Sequence, residues 1–125
     1  MPTLSTWKSE NGTVIMAGDC CHAILPYMAQ GLNMALEDAA TLGSLLSHVQ
    51  TPHQLSKATA MYERLRKART SQLLRETKAV GRDFHLADEE LQSQRDANIT
   101  EASKESGWYV VNPLMNYRVK DLVRF

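Results

Sequence analysis

Cysteine is scarce in this sequence: two residues of 125, Cys20 and Cys21, standing side by side. A disulfide needs Cα atoms about 4.4–6.8 Å apart on a permissive backbone, which sequence neighbours rarely provide, so a disulfide-stapled fold is excluded. With His22 they supply too few ligands for a zinc centre, which takes about four at workable spacing, and no metal is expected. A Cys–His nucleophile pair is rejected because neighbours in sequence seldom converge in space. Both cysteines are expected to pack as small hydrophobes. Long apolar runs are absent too. No stretch of about 18 apolar residues occurs, so no membrane-spanning helix is predicted. Met1-Pro2-Thr3-Leu4-Ser5 lacks the charged-then-apolar order of a secretory leader, and the expected compartment is the cytoplasm. Net charge is zero, and aromatic residues make up only 6% of the chain. Residues 51–82 carry eight basic and two acidic groups, and residues 83–101 one basic and six acidic. The basic stretch lacks interleaved aromatics, so a solvated helix face is expected there and no nucleic-acid partner.

What is present suffices for one core: 43% of the residues are hydrophobic. Asn11-Gly12 is a strong turn signal between Trp7-Lys8 and the apolar run 13–17, and it predicts a short hairpin whose second arm is a buried strand. Residues 18–30 are expected to form a loop, with Pro26 barring helix. A first long helix is predicted from Gly31 or Leu32 to about Val49, with Leu32, Ala35, Leu36, Ala39, Leu42, Leu46 and Val49 at helical spacing. Thr51-Pro52-His53-Gln54 has the form of a capping box. It opens a second long helix reaching about Val80 or Gly81. Leu55, Ala58, Tyr62, Leu65, Leu73 and Val80 share one face of it, and Lys57, Arg64, Lys67, Arg75, Lys78 and Arg82 the opposite one. Arg66 and Arg69 fall toward the apolar side. Buried charge seldom persists unpaired, so at least one of them is expected to pair with Glu37 or Asp38 and lock the two helices together. A shorter helix is predicted over 89–98, capped by Asp88, then an extended segment from 106 and a helical end. Trp7, Trp108, Tyr109 and Tyr117 are expected to be packing residues, and His48, His53 and His85 surface residues. The predicted class is α+β, mostly α.

The stretch Gly18-Asp19-Cys20-Cys21-His22-Ala23-Ile24-Leu25-Pro26-Tyr27-Met28-Ala29-Gln30-Gly31 combines two binding devices. Asp19, at the end of the apolar run, is an acceptor-only group suited to ligand hydroxyls. The turn Gln30-Gly31-Leu32-Asn33 opens a helix, where free backbone N–H groups face an electronegative partner. Taken singly, Asp19 also fits a turn former, and Gly31 a residue that relieves a tight bend.

Order and spacing together resemble the C-terminal flavin-contacting motif of class A FAD-dependent monooxygenases, the salicylate-hydroxylase-like aromatic hydroxylases. The likeness runs from about Trp7 to Leu46. It continues in Tyr62-Glu63-Arg64-Leu65-Arg66-Lys67-Ala68-Arg69 and, more loosely, in Phe84-His85-Leu86-Ala87-Asp88 and Gln94-Arg95-Asp96. The resemblance implies that Gly18 and Asp19 meet the ribityl chain of FAD, and that His22 holds the loop by a hydrogen bond. It implies that Gln30, Gly31, Leu32 and Asn33 present backbone amides to the flavin pyrimidine ring. A helix N-terminus there stabilises the anionic reduced flavin by up to about 1–2 kcal/mol, and a side chain at 31 would push the backbone away from the ring. Pro26, flanked by Leu25 and Tyr27, walls the oxygen site, and no residue is assigned as catalytic. The implied activity is hydroxylation of a small aromatic molecule with NADH or NADPH and O₂ through a flavin C4a-hydroperoxide, the cofactor carrying the chemistry. The Gly-x-Gly-x-x-Gly turn that cradles the FAD pyrophosphate is absent, since Gly12, Gly18, Gly31 and Gly43 lack its spacing. The chain is therefore expected to be the C-terminal portion of a Rossmann-like FAD-binding fold. Residues 1–83 would belong to the FAD-binding domain and 84–125 to a helical or extended tail, with the N-terminal FAD-binding half as the missing partner. The other reading is a non-catalytic helical interaction module derived from such an enzyme.

Overall fold

The computed structural model describes residues 4–106, and within them it is built almost wholly of helices. They are a single turn α1 (Asp19–His22), the long helices α2 (Gly31–Leu46) and α3 (Leu55–Phe84), and α4 (Glu89–Ser106), with 3₁₀ turns at Pro26–Met28 and Pro52–Gln54. The two long helices stand close to where the apolar periodicity places them. α3 is entered through Pro52 at the first position of its turn, where a missing N–H costs nothing. Gln54 reaches back so that its Oε1 accepts from the Thr51 N–H at 3.1 Å. Asp88 caps α4 by accepting from the Leu91 N–H at 3.0 Å, and the helix runs eight residues past its expected end at Asn98. The extended segment expected after 106, the helical end, and Trp108, Tyr109 and Tyr117 lie outside the described residues.

The expected buried strand is not formed. The hairpin turn is present: Gly12, at φ +73°, donates its N–H to the Ser9 carbonyl at 2.9 Å. Two further backbone bonds, Ser9 N–H to Val14 O and Met16 N–H to Trp7 O, close it around a single antiparallel bridge between Lys8 and Ile15. Yet Val14 is exposed, and Ile15 and Met16 are only half-buried. Among the described residues this arm has one neighbour to pair with, and a lone two-stranded ribbon is marginal. Among the described residues the mostly-α part of the predicted class holds, and its β part is corrected to one bridge. The loop expected over 18–30 holds the α1 turn and the Pro26–Met28 turn, because Pro26 takes the first position of a 3₁₀ turn, where its missing N–H is no loss.

The hairpin serves as a cover for α3. Gly12 abuts the start of that helix, and a Cβ there would sit 2.7 Å from the Ser56 Cα. Thr59 donates its hydroxyl to the Gly12 carbonyl at 3.2 Å. Trp7 is 1% exposed and leads a core with Cys21, Leu45, Ala58 and Tyr62. Its ring lies 6.3 Å from that of Tyr62 and 5.3 Å from that of His22.

Charge rather than apolar surface joins the middles of α2 and α3. Arg66, fully buried, donates from Nε to Asp38 Oδ1 and from Nη1 to Glu37 Oε2, both at 2.6 Å, and from Nη2 to the Met34 carbonyl at 3.2 Å. Arg69 adds a bond from Nη2 to Glu37 Oε1 at 3.2 Å. The predicted helix lock is thus made by both arginines. The expected basic face of α3 is exposed, except that Lys67 is half-buried between Glu63 and the Trp7 ring.

Candidate functional site

Gly18 stands at φ +68°, ψ −149°, a region open essentially to glycine alone. That conformation ends the hairpin arm and turns the chain into α1, so Asp19 begins a helical turn rather than ending a strand. The bend is held from α2: the Gly18 N–H donates to Asp38 Oδ2 at 2.7 Å. The same oxygen lies 2.5 Å from His22 Nε2. His22 Nδ1 is buried without a hydrogen-bond partner among the described residues, so Nε2 is the nitrogen that donates to the carboxylate. His22 does hold the loop, and it does so through Asp38. Burial opposes the charge on Asp38, but the hydrogen bonds from His22, Arg66 and Gly18 outweigh it and hold the carboxyl below the usual carboxylate range. Asp38 therefore joins three elements: the Gly18 bend, α1 and α3.

Asp19 is exposed, and no side-chain bond to it occurs among the described residues, so its acceptor oxygens are open to a ligand. It lines a cavity of about 240 Å³ with Leu4, Trp7, Cys20, Cys21, His22, Ala23, Thr70, Ser71 and Leu74. That cavity does not include residues 30–33. Cys20 is exposed and Cys21 buried, and each thiol donates to a backbone carbonyl of the same bend, Ala17 at 2.9 Å and Gly18 at 3.3 Å. Burial, then the neighbouring Cys20 and Asp38, push the Cys21 thiol up to about 12, which leaves it unreactive at neutral pH.

The start of α2 is the second device. Gln30 is buried and braces the turn: its Nε2 donates to the Met28 carbonyl at 3.2 Å, and its Oε1 accepts from Asn33 Nδ2 at 3.2 Å. The first helical bond runs from the Met34 N–H to the Gln30 carbonyl at 2.9 Å. No side chain caps the end, which leaves the N–H groups of Gly31, Leu32 and Asn33 to an outside acceptor. Gly31 has an ordinary negative φ, and a Cβ there would meet only Ile24 Cγ2, at 3.8 Å. Nothing among the described residues calls for glycine at this position. Leu32 is 73% exposed, and Pro26 is exposed at the head of its 3₁₀ turn.

The structure thus ties Gly18 to α2 through Asp38, and Gln30 to Asn33, while the cavity at Asp19 includes neither Pro26 nor residues 30–33, which follow one another along the chain. Asp38 came from the sequence as a helix-pairing residue, and its hold on the Gly18 bend is added by the fold. His85 is expected at the surface. It is exposed but bonded, Tyr27 Oη to His85 Nε2 at 2.8 Å. The structure carries α3 past its expected end at Val80 or Gly81 to Phe84, which brings Gly81 inside the helix.

Comparison with known proteins identifies the family. The family model described as FAD binding domain matches residues 3–77. The FAD-dependent monooxygenase OpS4 of Beauveria bassiana (strain ARSEF 2860) is 40% identical over 100 residues, 80% of this chain and 23% of that protein. The 3-hydroxybenzoate 6-hydroxylase of Klebsiella oxytoca is 42% identical over 85 residues, 68% of this chain and 21% of that protein. The 3-amino-4-hydroxybenzoate 2-monooxygenase of Streptomyces cremeus is 39% identical over 81 residues, 65% and 20% respectively. The chain spans between a fifth and a quarter of the length of these relatives. It belongs to the FAD binding domain family, and the relatives it matches are themselves named as FAD-dependent monooxygenases and hydroxybenzoate hydroxylases.

Proposed function

We propose that this chain is the C-terminal portion of a flavin-dependent monooxygenase that hydroxylates a small aromatic molecule, and that it contributes the ribityl and ring contacts of FAD. In this reading residues 1–83 complete an FAD-binding domain and residues 84–125 form a tail. FAD, with NADH or NADPH and oxygen, supplies the hydroxylating chemistry when bound. The chain's own residues bind and orient. Asp19 accepts from ribityl hydroxyls, and the Gly18 bend, held by Asp38 and His22, sets where that carboxylate stands. The amides of Gly31, Leu32 and Asn33 donate to the electronegative edge of the ring. Pro26 walls the adjoining side and excludes water without exchanging a proton.

The observation that carries the reading is Gly31. It sits at a helix start that no side chain caps, with no steric or conformational need for glycine among the described residues. A close-lying ring explains it. The rest of the enzyme has a seat as well: Leu32, Leu36, Ala39 and Gly43 are exposed along the face of α2 opposite Met34, Asp38, Thr41 and Leu45. A helix buried along one face that carries exposed leucines along the other is suited to lie between two layers, and the N-terminal FAD-binding half is the partner that would cover it.

Riboflavin carries the ribityl chain and ring alone. Because the chain lacks the pyrophosphate turn, riboflavin and FAD should bind with similar, weak affinity, read as quenching of flavin fluorescence. Gly31→Val and Asp19→Asn should each weaken both about tenfold or more, the loss of a charge-assisted bond or of close approach. Quenching that is equal in wild type and in both variants contradicts the proposal.

A further inference from the structure

The 26–29 turn is held in place by something the flavin contacts do not explain. Leu25, Pro26 and Ala29 are exposed, and the turn closes on one backbone bond, Ala29 N–H to Pro26 O at 2.9 Å. Ala29 sits at φ +50°, a left-handed conformation that residues with a side chain adopt rarely. Such a segment needs an external support. Tyr27 provides one. Its ring lies directly over Gly81 in the last turns of α3, so close that a Cβ at 81 would fall 2.6 Å from Tyr27 Cε2 and 2.9 Å from Cδ2. Glycine inside a helix is unfavourable relative to alanine, and here its bare backbone is the floor on which the ring rests. Phe84 meets the ring edge-on, with centroids 5.9 Å apart at 67°. His85 closes the cluster: its ring is 5.7 Å from that of Tyr27 at 72°, and its Nε2 lies 2.8 Å from the phenol oxygen. The backbone of His85 is itself fixed, since its N–H donates to the Gly81 and Arg82 carbonyls at the end of α3.

We propose that Tyr27 is a positioning residue: its ring, seated on Gly81 and tied to His85, fixes the 26–29 turn and hence the line on which the chain enters the start of α2. The inference rests on the reading of residues 26–33 as the flavin-contacting segment. It assigns a role at that site to the far end of α3, whose residues make none of the proposed cofactor contacts.

The test is backbone amide exchange, followed by NMR on the full 125-residue chain, in wild type, Tyr27→Phe, His85→Phe, the double variant and Gly81→Ala. Losing one such hydrogen bond should speed Ala29 exchange about two- to tenfold in each single variant. The double variant should exchange no faster than the faster single, because both remove the same bond. Gly81→Ala should exceed either by displacing the ring. The Leu73 amide, in the α3 core, should not change. Ala29 exchange unaltered in both single variants, or a rise at Leu73 equal to that at Ala29, overturns the clamp. The same samples are then titrated with riboflavin and read by the position of its visible absorbance band. The wild-type shift should diminish in Tyr27→Phe and His85→Phe, and an identical shift in all of them overturns the positioning role. A wild-type chain that leaves the riboflavin band unmoved contradicts the flavin reading, and with it the positioning role. Unchanged exchange beside an intact riboflavin shift contradicts the clamp alone.

Discussion

At the scale of single residues, glycines and one carboxylate divide the work between fold and site. Gly12 and Gly18 are demanded by the fold through their positive φ, whereas Gly31 is not, and this difference can be measured. Gly12→Ala forces a left-handed residue against the Ser56 backbone and should cost more than about 1 kcal/mol in urea unfolding. Gly31→Ala should leave stability unchanged or slightly raised, since alanine is the better helix former by about 0.8–1.0 kcal/mol in a helix interior, while lowering flavin affinity. Asp38 gives a prediction with a sign. Its carboxyl is held below the usual range by His22, Arg66 and Gly18 against the opposing effect of burial. The unfolded chain, with an ordinary value of about 3.9, therefore takes up the proton first as pH falls. The stabilisation is fully present above the unfolded value and is lost as pH drops through the folded one. Urea midpoints should hold from pH 7 to about 5 and then decline, and the decline should be shallower in Asp38→Asn than in wild type.

At the scale of elements, the long helices were legible because their signals are local: apolar spacing, Pro52 with Gln54 at the entry of α3, and Asp88 before α4. The α2–α3 lock was legible too, since two arginines on an apolar face require partners. The arm 13–17 was misread for a physical reason. Its β-branched, apolar composition describes a strand with neighbours on both sides, and among the described residues it has one. The Tyr27–Gly81–His85 contact joins residues more than fifty positions apart, and no periodicity encodes that. The Gly18–Asp38 bond was likewise hidden, because the sequence offers reasons for both residues but none for their meeting. The lock is where stability should be most sensitive. Arg66→Leu takes the buried guanidinium from Asp38 and leaves Glu37 to Arg69, and should cost about 3–5 kcal/mol by urea unfolding. Pairing it with Asp38→Asn should cost less than the sum of the two changes.

At the scale of the whole molecule, α2 has two faces, and among the described residues only one is covered. Met34 and Leu45 are buried against the body, while Leu32 and Leu36 are 73% and 59% exposed. The chain spans between a fifth and a quarter of its relatives, and in the proposed reading the N-terminal FAD-binding half covers this face. Leu36→Lys should therefore leave the stability of this chain within about 0.5 kcal/mol of wild type. The same change in a protein that includes the N-terminal half should loosen the seat of α2 and lower cofactor retention, measured as flavin released on dilution. The central claim is that the Gly18–Asp19 bend and the start of α2 together hold the ribityl chain and ring of a flavin. Its most direct test is a map of backbone amide shifts in the chain titrated with riboflavin. The account predicts that the largest movements fall at Asp19 and at Gly31, Leu32 and Asn33, and saturate at one common concentration. Shifts confined to other residues, or two groups that saturate independently, would contradict it.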